Sequence, residues 1–261
     1  MKNKNIFIQV GMPKTGTTTL QREIFPLLCK YTKYTYWRDN LDLISNVKLA
    51  KYRVLHGFPF NPVNIPEYTL VSLESLIPHD PRLWEETAIG NKKLFGEDVH
   101  ILIVLRDPSS YLSSIYSEIC LHTGRAQHPE HFFVSSGEYS ARHMAPIFSI
   151  DDFNYSDLIK FYRNQFKKVT ILKLEELPKL EFIKDFFDIN KKQLEYMQKR
   201  FQKRIHNRRF SFQMVKLLFF ISKLVSLLGL SLDANAKINN EPIVYIRDDN
   251  YIYPEIIITK K

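Results

Sequence analysis

A short apolar run, Ile6-Phe-Ile-Gln-Val10, ends in the glycine-bounded turn Gly11-Met-Pro-Lys-Thr-Gly16 and passes at once into Thr17-Thr-Thr-Leu-Gln-Arg-Glu-Ile-Phe25. The first piece reads as a strand buried in a parallel sheet, because its hydrophobic character does not alternate in the way of a strand with one wet face. The last reads as a helix with Leu20, Ile24 and Leu27/Leu28 on one side. Few folds accept a buried strand that turns on glycines straight into a helix. Strands of that kind need helices over both faces of the sheet.

The same alternation recurs down the chain. Tyr52 to Gly57, Tyr68 to Ser72 and Val169 to Leu174 read as strands, and Val99-His-Ile-Leu-Ile-Val-Leu105 is the strongest of all. Helices are expected from Pro81 to Phe95, from Pro108 (carrying Tyr111, Ser114, Ile115 and Ile119), and from Tyr155 to Phe166. Residues 122–150 lack periodicity and read as a long loop or lid. Residues 179–230 read as mostly helical. The expected fold is an α/β, P-loop-type parallel sheet flanked by helices. It forms one domain over 1–261, with 192–261 a mostly helical C-terminal part.

Composition narrows the function classes. Lys+Arg number 37 against 28 Asp+Glu, a net charge of +9, and 44% of residues are hydrophobic. Such a chain builds an ordinary core and is neither disordered nor fibrous. The two cysteines, Cys29 and Cys120, make no disulfide framework and no zinc motif. The positive balance suits nucleic acid, anionic lipid or a phosphorylated small ligand. The densest basic run, Lys199, Arg200, Lys203, Arg204, Arg208 and Arg209, reads as a solvated helix face. No helix-turn-helix, RNA-recognition or zinc-finger signature accompanies it. Met214 to Leu230 carries Lys216 and Lys223 and falls short of the ~20 apolar residues of a span. It reads as a buried or surface-lying helix, so a cytoplasmic protein is expected, with membrane contact at most peripheral.

The glycine turn is a ready anion cradle, because backbone N–H groups and the helix dipole both favour a phosphate there. Gly11 and Gly16 have nucleotide-loop spacing, yet the nucleotide pattern demands Lys at 17, where Thr17 stands. The lysine is Lys14, inside the loop, where it would lie beside a terminal phosphate and whatever bridges from it. Thr15, Thr17 and Thr18 add hydroxyls around one anion. This displacement disfavours ATP or GTP hydrolysis and leaves a small-molecule kinase as the runner-up enzyme. Arg106 follows the strongest strand and Ser114 lies just over two helical turns on, so both could face a second phosphate.

Together these residues resemble the sulfotransferases that use 3′-phosphoadenosine 5′-phosphosulfate (PAPS). Pro13-Lys-Thr-Gly-Thr-Thr-Thr-Leu20 is similar to that family's 5′-phosphosulfate loop, and Arg106 with Ser114 to its 3′-phosphate site. A softer match runs from Val169 to Leu177 and on to Phe186-Phe-Asp-Ile189. The resemblance implies PAPS as co-substrate and no metal. It assigns Pro13, Lys14, Thr15, Gly16, Thr17 and Thr18 to the donor's 5′ end, with Lys14 on the bridging oxygen. Arg106 and Ser114 go to the 3′ end. It also implies a base, for which Glu74 and His56 both qualify, Glu74 somewhat the better. Leu174 stands where many cytosolic members carry Tyr, and the family's late Arg-Lys-Gly segment is absent. The chain therefore resembles bacterial or carbohydrate-type members. The expected acceptor is a small molecule or glycan; by composition His122, Arg125, His128, His131 and Arg142 in the long loop could bind a sugar or an anionic acceptor, or form a solvated loop.

Overall fold

The computed structural model describes residues 5–40, 42–43, 45–47, 64–74, 76–122, 132–135 and 148–203, with short stretches between 230 and 260. The expected strand at 52–57, with His56, lies outside them, as do Arg125, His128, His131, Arg142 and residues 204–229. The chain divides into two compact units, Met1–Tyr111 with Asp151–Asn207, and Leu112–Ile150 with Arg208–Lys261.

The first unit is built on a parallel sheet. Its strands are β1 (Phe7–Val10), β2 (Thr35–Tyr36), β3 (Thr69–Leu73), β4 (His100–Leu105) and, after β5 (Phe133–Val134) and β6 (Phe148–Ser149) of the second unit, β7 (Lys168–Lys173). They lie in the order β2-β3-β1-β4-β7. Phe7 pairs with Leu70 on one side and with His100 on the other. The central strands β1 and β3 are buried throughout, which is why their sequences show no polar alternation. The edge strand β7 is only half-buried. Helices Trp84–Phe95, Tyr155–Gln165 and Lys191–Lys203 flank the sheet unit. The fold is thus an α/β sheet flanked by helices. Strand β2 is not legible in the sequence, since two residues show no period.

In the second unit β5 and β6 pair in parallel within the segment expected as a loop, held by Phe132, Phe133, Phe148 and Tyr116. Past residue 229 the described residues are short antiparallel strands, such as Leu230–Asp233 against Ile257–Lys260, rather than helix. Their Ile, Val and Tyr content explains the strand preference.

Glu23, buried in the helix after β1, accepts from Arg200 Nε at 2.7 Å and ties the helix Lys191–Lys203 to the sheet. This takes Arg200 out of the solvated basic run. Arg200→Met is expected to lower the thermal unfolding midpoint, because a buried carboxylate loses a charged donor. An unchanged midpoint would show that the pair is not a tether.

His100 opens β4 at the amino edge of the sheet. Its Nε2 lies 2.8 Å from Thr170 Oγ1, and its ring packs edge-on against Phe186 at 4.0 Å. A histidine that opens a strand reads in the sequence as a surface or acceptor-site residue. Instead, burial first and Lys168 second pull its pKa down from 6.5 to about 4. The unfolded chain therefore binds this proton before the folded chain does. Stability is intact above about pH 6.5 and declines as pH falls toward about 4. His100→Gln should flatten that part of a plot of unfolding midpoint against pH. A slope equal to the parent's would remove His100 as its source.

Candidate functional site

Because all strands of the sheet are parallel, the loops after β1, β3, β4 and β7 emerge on one edge. The chain crosses from one side of β1 to the other between β3 and β4. Ligands of open parallel sheets lie outside the carboxyl ends of the strands at such a crossing. The loop 11–16 stands there.

Two contacts set the base of the loop. The Gly11 amide donates to the Leu73 carbonyl at 3.1 Å. A Cβ at position 11 would come within 2.6 Å of the Glu74 Cα and 3.1 Å of Thr17 Cγ2. Glycine is required there by sheer proximity. At the crown Lys14 has φ 62° and Gly16 φ 80°, on either side of Thr15. Changes of backbone hand of this kind turn successive amides toward one point, the arrangement that holds anions. For lysine the left-handed conformation costs about 1–2 kcal/mol. Two bonds brace it: Thr15 Oγ1 donates to the Met12 carbonyl at 2.6 Å, and Arg106 Nη1 donates to the Lys14 carbonyl at 3.2 Å.

Arg106 reaches the crown because β4 ends beside β1. Asp107 then starts the helix Pro108–His122, accepting from the Ser110 amide and the Ser109 hydroxyl, each at 2.9 Å. Those bonds hold the Asp107 carboxyl below the usual carboxylate range. The loop after β7 closes the remaining side. The Leu174 amide donates to the Leu105 carbonyl at 2.7 Å. The methyls of Leu174 and Leu177 lie 3.2 and 3.0 Å from where a Gly16 Cβ would be. An apolar side chain at 174 thus has a packing role against the loop.

The structure brings Lys14, Arg106 and the Glu74 backbone to the loop. Pro13, Lys14, Gly16 and Thr18 are half-buried, while Thr15 and Thr17 are buried. The Thr15 hydroxyl is committed to Met12, so its part in anion binding would fall to its amide. Thr17 Oγ1 accepts from Gln9 Nε2 at 3.3 Å. Ser114 is buried on the helix Pro108–His122, in the second unit. Glu74 sits half-buried in the turn that ends β3. Beyond it the Leu76 carbonyl accepts from Asn91 Nδ2 at 2.8 Å and from the Tyr162 hydroxyl at 2.9 Å. Sequence reasoning passed over this clamp and also Gln9, Gln21, Ser72 and Arg38, described below. The one available sign was a glutamine in an otherwise apolar strand. Among the described residues no group of three or more His, Cys, Asp or Glu could hold a metal ion, and no helix is long and apolar enough to cross a membrane.

The geometry defines an α/β protein with a lysine-bearing glycine loop, joined by Arg106, at the switch point of a parallel sheet. No protein-family model matches the chain, and no curated protein matches it in sequence. Among solved structures it is similar to a crystal structure of mouse sulfotransferase SULT7A1 complexed with PAP. That likeness has 13% identity and a TM-score of 0.37, over 80% of this chain and 69% of that one.

Proposed function

We propose that the protein is a PAPS-dependent sulfotransferase, moving a sulfuryl group to a hydroxyl or amine of an acceptor. The observation that carries the reading is the hydrogen bond from Arg106 to the crown of the lysine-bearing loop. A guanidinium suits phosphate oxygens, and here it arrives from a different strand than the loop that would hold the other end of the donor. The donor set fits: amides turned by left-handed backbone, a lysine at the crown, and hydroxyls at the helix start. Residues 13–18 would take the 5′ end of the donor. Arg106, joined by Ser114 on sequence spacing, would take the 3′-phosphate.

The acceptor oxygen attacks sulfur in line as the bond from sulfur to the bridging oxygen breaks, and adenosine 3′,5′-bisphosphate leaves. Lys14 meets the charge that develops on the bridging oxygen. Glu74 takes the acceptor's proton. Gripping both phosphates fixes the donor, so much of the rate comes from positioning. A carbohydrate or glycolipid acceptor is supported by the mixture of His, Arg and aromatic residues in 122–150.

Calorimetry tests the reading. Adenosine 3′,5′-bisphosphate should bind one to one, with equal affinity with and without Mg²⁺. Binding that needs Mg²⁺ points to a kinase, and no binding at all removes the proposal.

A further inference from the structure

A largely buried chain of polar side chains, four of which have no part in the chemistry above, leads to Thr17 of the loop. Arg38 Nη2 donates to Gln21 Oε1 at 3.0 Å. Gln21 Nε2 donates to the Ser72 hydroxyl and to the Ser72 carbonyl, both at 3.1 Å. The Ser72 hydroxyl donates to Gln9 Oε1. Gln9 Nε2 donates to Thr17 Oγ1 at 3.3 Å. Gln9, Ser72, Thr17 and Gln21 are all buried, and Arg38 is half-buried.

The direction of this chain is forced. A guanidinium has donors and no acceptor. Gln21 must therefore turn its oxygen to Arg38 and its amide to Ser72. Ser72, having accepted, sends its own proton to the Gln9 oxygen, which leaves the Gln9 amide facing Thr17. At Thr17 the hydroxyl oxygen is an acceptor, so its proton is left to donate. Among the described residues Thr17 Oγ1 has only the bond from Gln9. Burying so many polar groups is costly unless each is satisfied, and an apolar set would fill the same space more cheaply. Gln21 moreover lies in a π-helical stretch, Leu20–Ile24, a rare geometry that is frequent at functional sites.

We infer that Arg38, Gln21, Ser72 and Gln9 are positioning residues that commit the Thr17 hydroxyl proton to an anion held in the loop 11–16. This rests on the proposed function as far as a phosphate group occupies that loop.

A double-mutant cycle tests it, titrating adenosine 3′,5′-bisphosphate and, separately, inorganic pyrophosphate. Thr17→Val should weaken binding about tenfold or more, as loss of a hydrogen bond to a charged group does. Ser72→Ala and the half-buried Arg38→Met should each weaken it about three- to tenfold. In the Thr17→Val background neither should weaken it further, whereas Thr17→Ser should keep their effect. A merely structural role would give losses that add, and additive losses overturn the inference. Parent affinity in both Ser72→Ala and Arg38→Met does the same. If pyrophosphate binds and the bisphosphate does not, the sulfuryl-donor reading fails, and the cycle on pyrophosphate still decides the role of the chain. If neither binds, both are overturned.

Discussion

Lys14→Ala is expected to lower kcat about a hundred- to a thousandfold, the usual loss when one stabiliser of developing charge is removed. Binding of adenosine 3′,5′-bisphosphate should change far less, because that product no longer carries the transferring group. Lys14 also holds a left-handed backbone, φ 62°, so alanine alone would confound charge with conformation. Lys14→Gly separates them, since glycine adopts that φ without strain. If the ammonium matters, both variants lose turnover together. Turnover near the parent's in either variant refutes the assignment, and recovery in Lys14→Gly alone would make the residue a backbone device.

Gly11→Ala should be severely damaging for a single added methyl. The atom it meets, the Glu74 Cα, belongs to main chain and cannot rotate away. Either the loop after β1 or the turn after β3 must move. The latter is pinned at the Leu76 carbonyl by Asn91 and Tyr162. Overpacking of this kind costs about 1–3 kcal/mol, and this case belongs at the upper end. The urea midpoint should fall and bisphosphate affinity should drop by more than about tenfold. Gly96→Ala is the control. Its φ is +81°, with nothing within 4 Å of the added carbon, so it carries only the backbone cost. Gly96→Ala should leave bisphosphate affinity unchanged, and an equally unchanged affinity in Gly11→Ala would mean that Gly11 and Glu74 are not pressed together.

The parts of the site that could be read in the sequence are those whose chemistry is local. Ile6 to Val10, the glycines at 11 and 16, and the run Val99 to Leu105 each announce themselves within a few residues. Arg106 follows because it leaves the strongest strand. The hydrogen-bond partners do not announce themselves. Thr15 looks like a phosphate ligand until its hydroxyl is found on Met12. Gln21 and Ser72 are 51 residues apart, and Ser72 and Gln9 are 63 apart. Such pairs exist only once β1 and β3 lie side by side, so no window on the sequence contains them. His100 is a similar case, since a histidine that opens a strand looks solvated until Phe7 and Phe186 are packed on it.

One strand, β4, carries His100 at its start and delivers Arg106 just past its end. Six residue steps of extended chain span roughly 20 Å. The proton that loosens the amino edge thus sits at the end of the sheet away from the proposed chemistry. Acid sensitivity could be engineered out of the scaffold without retuning the reacting groups.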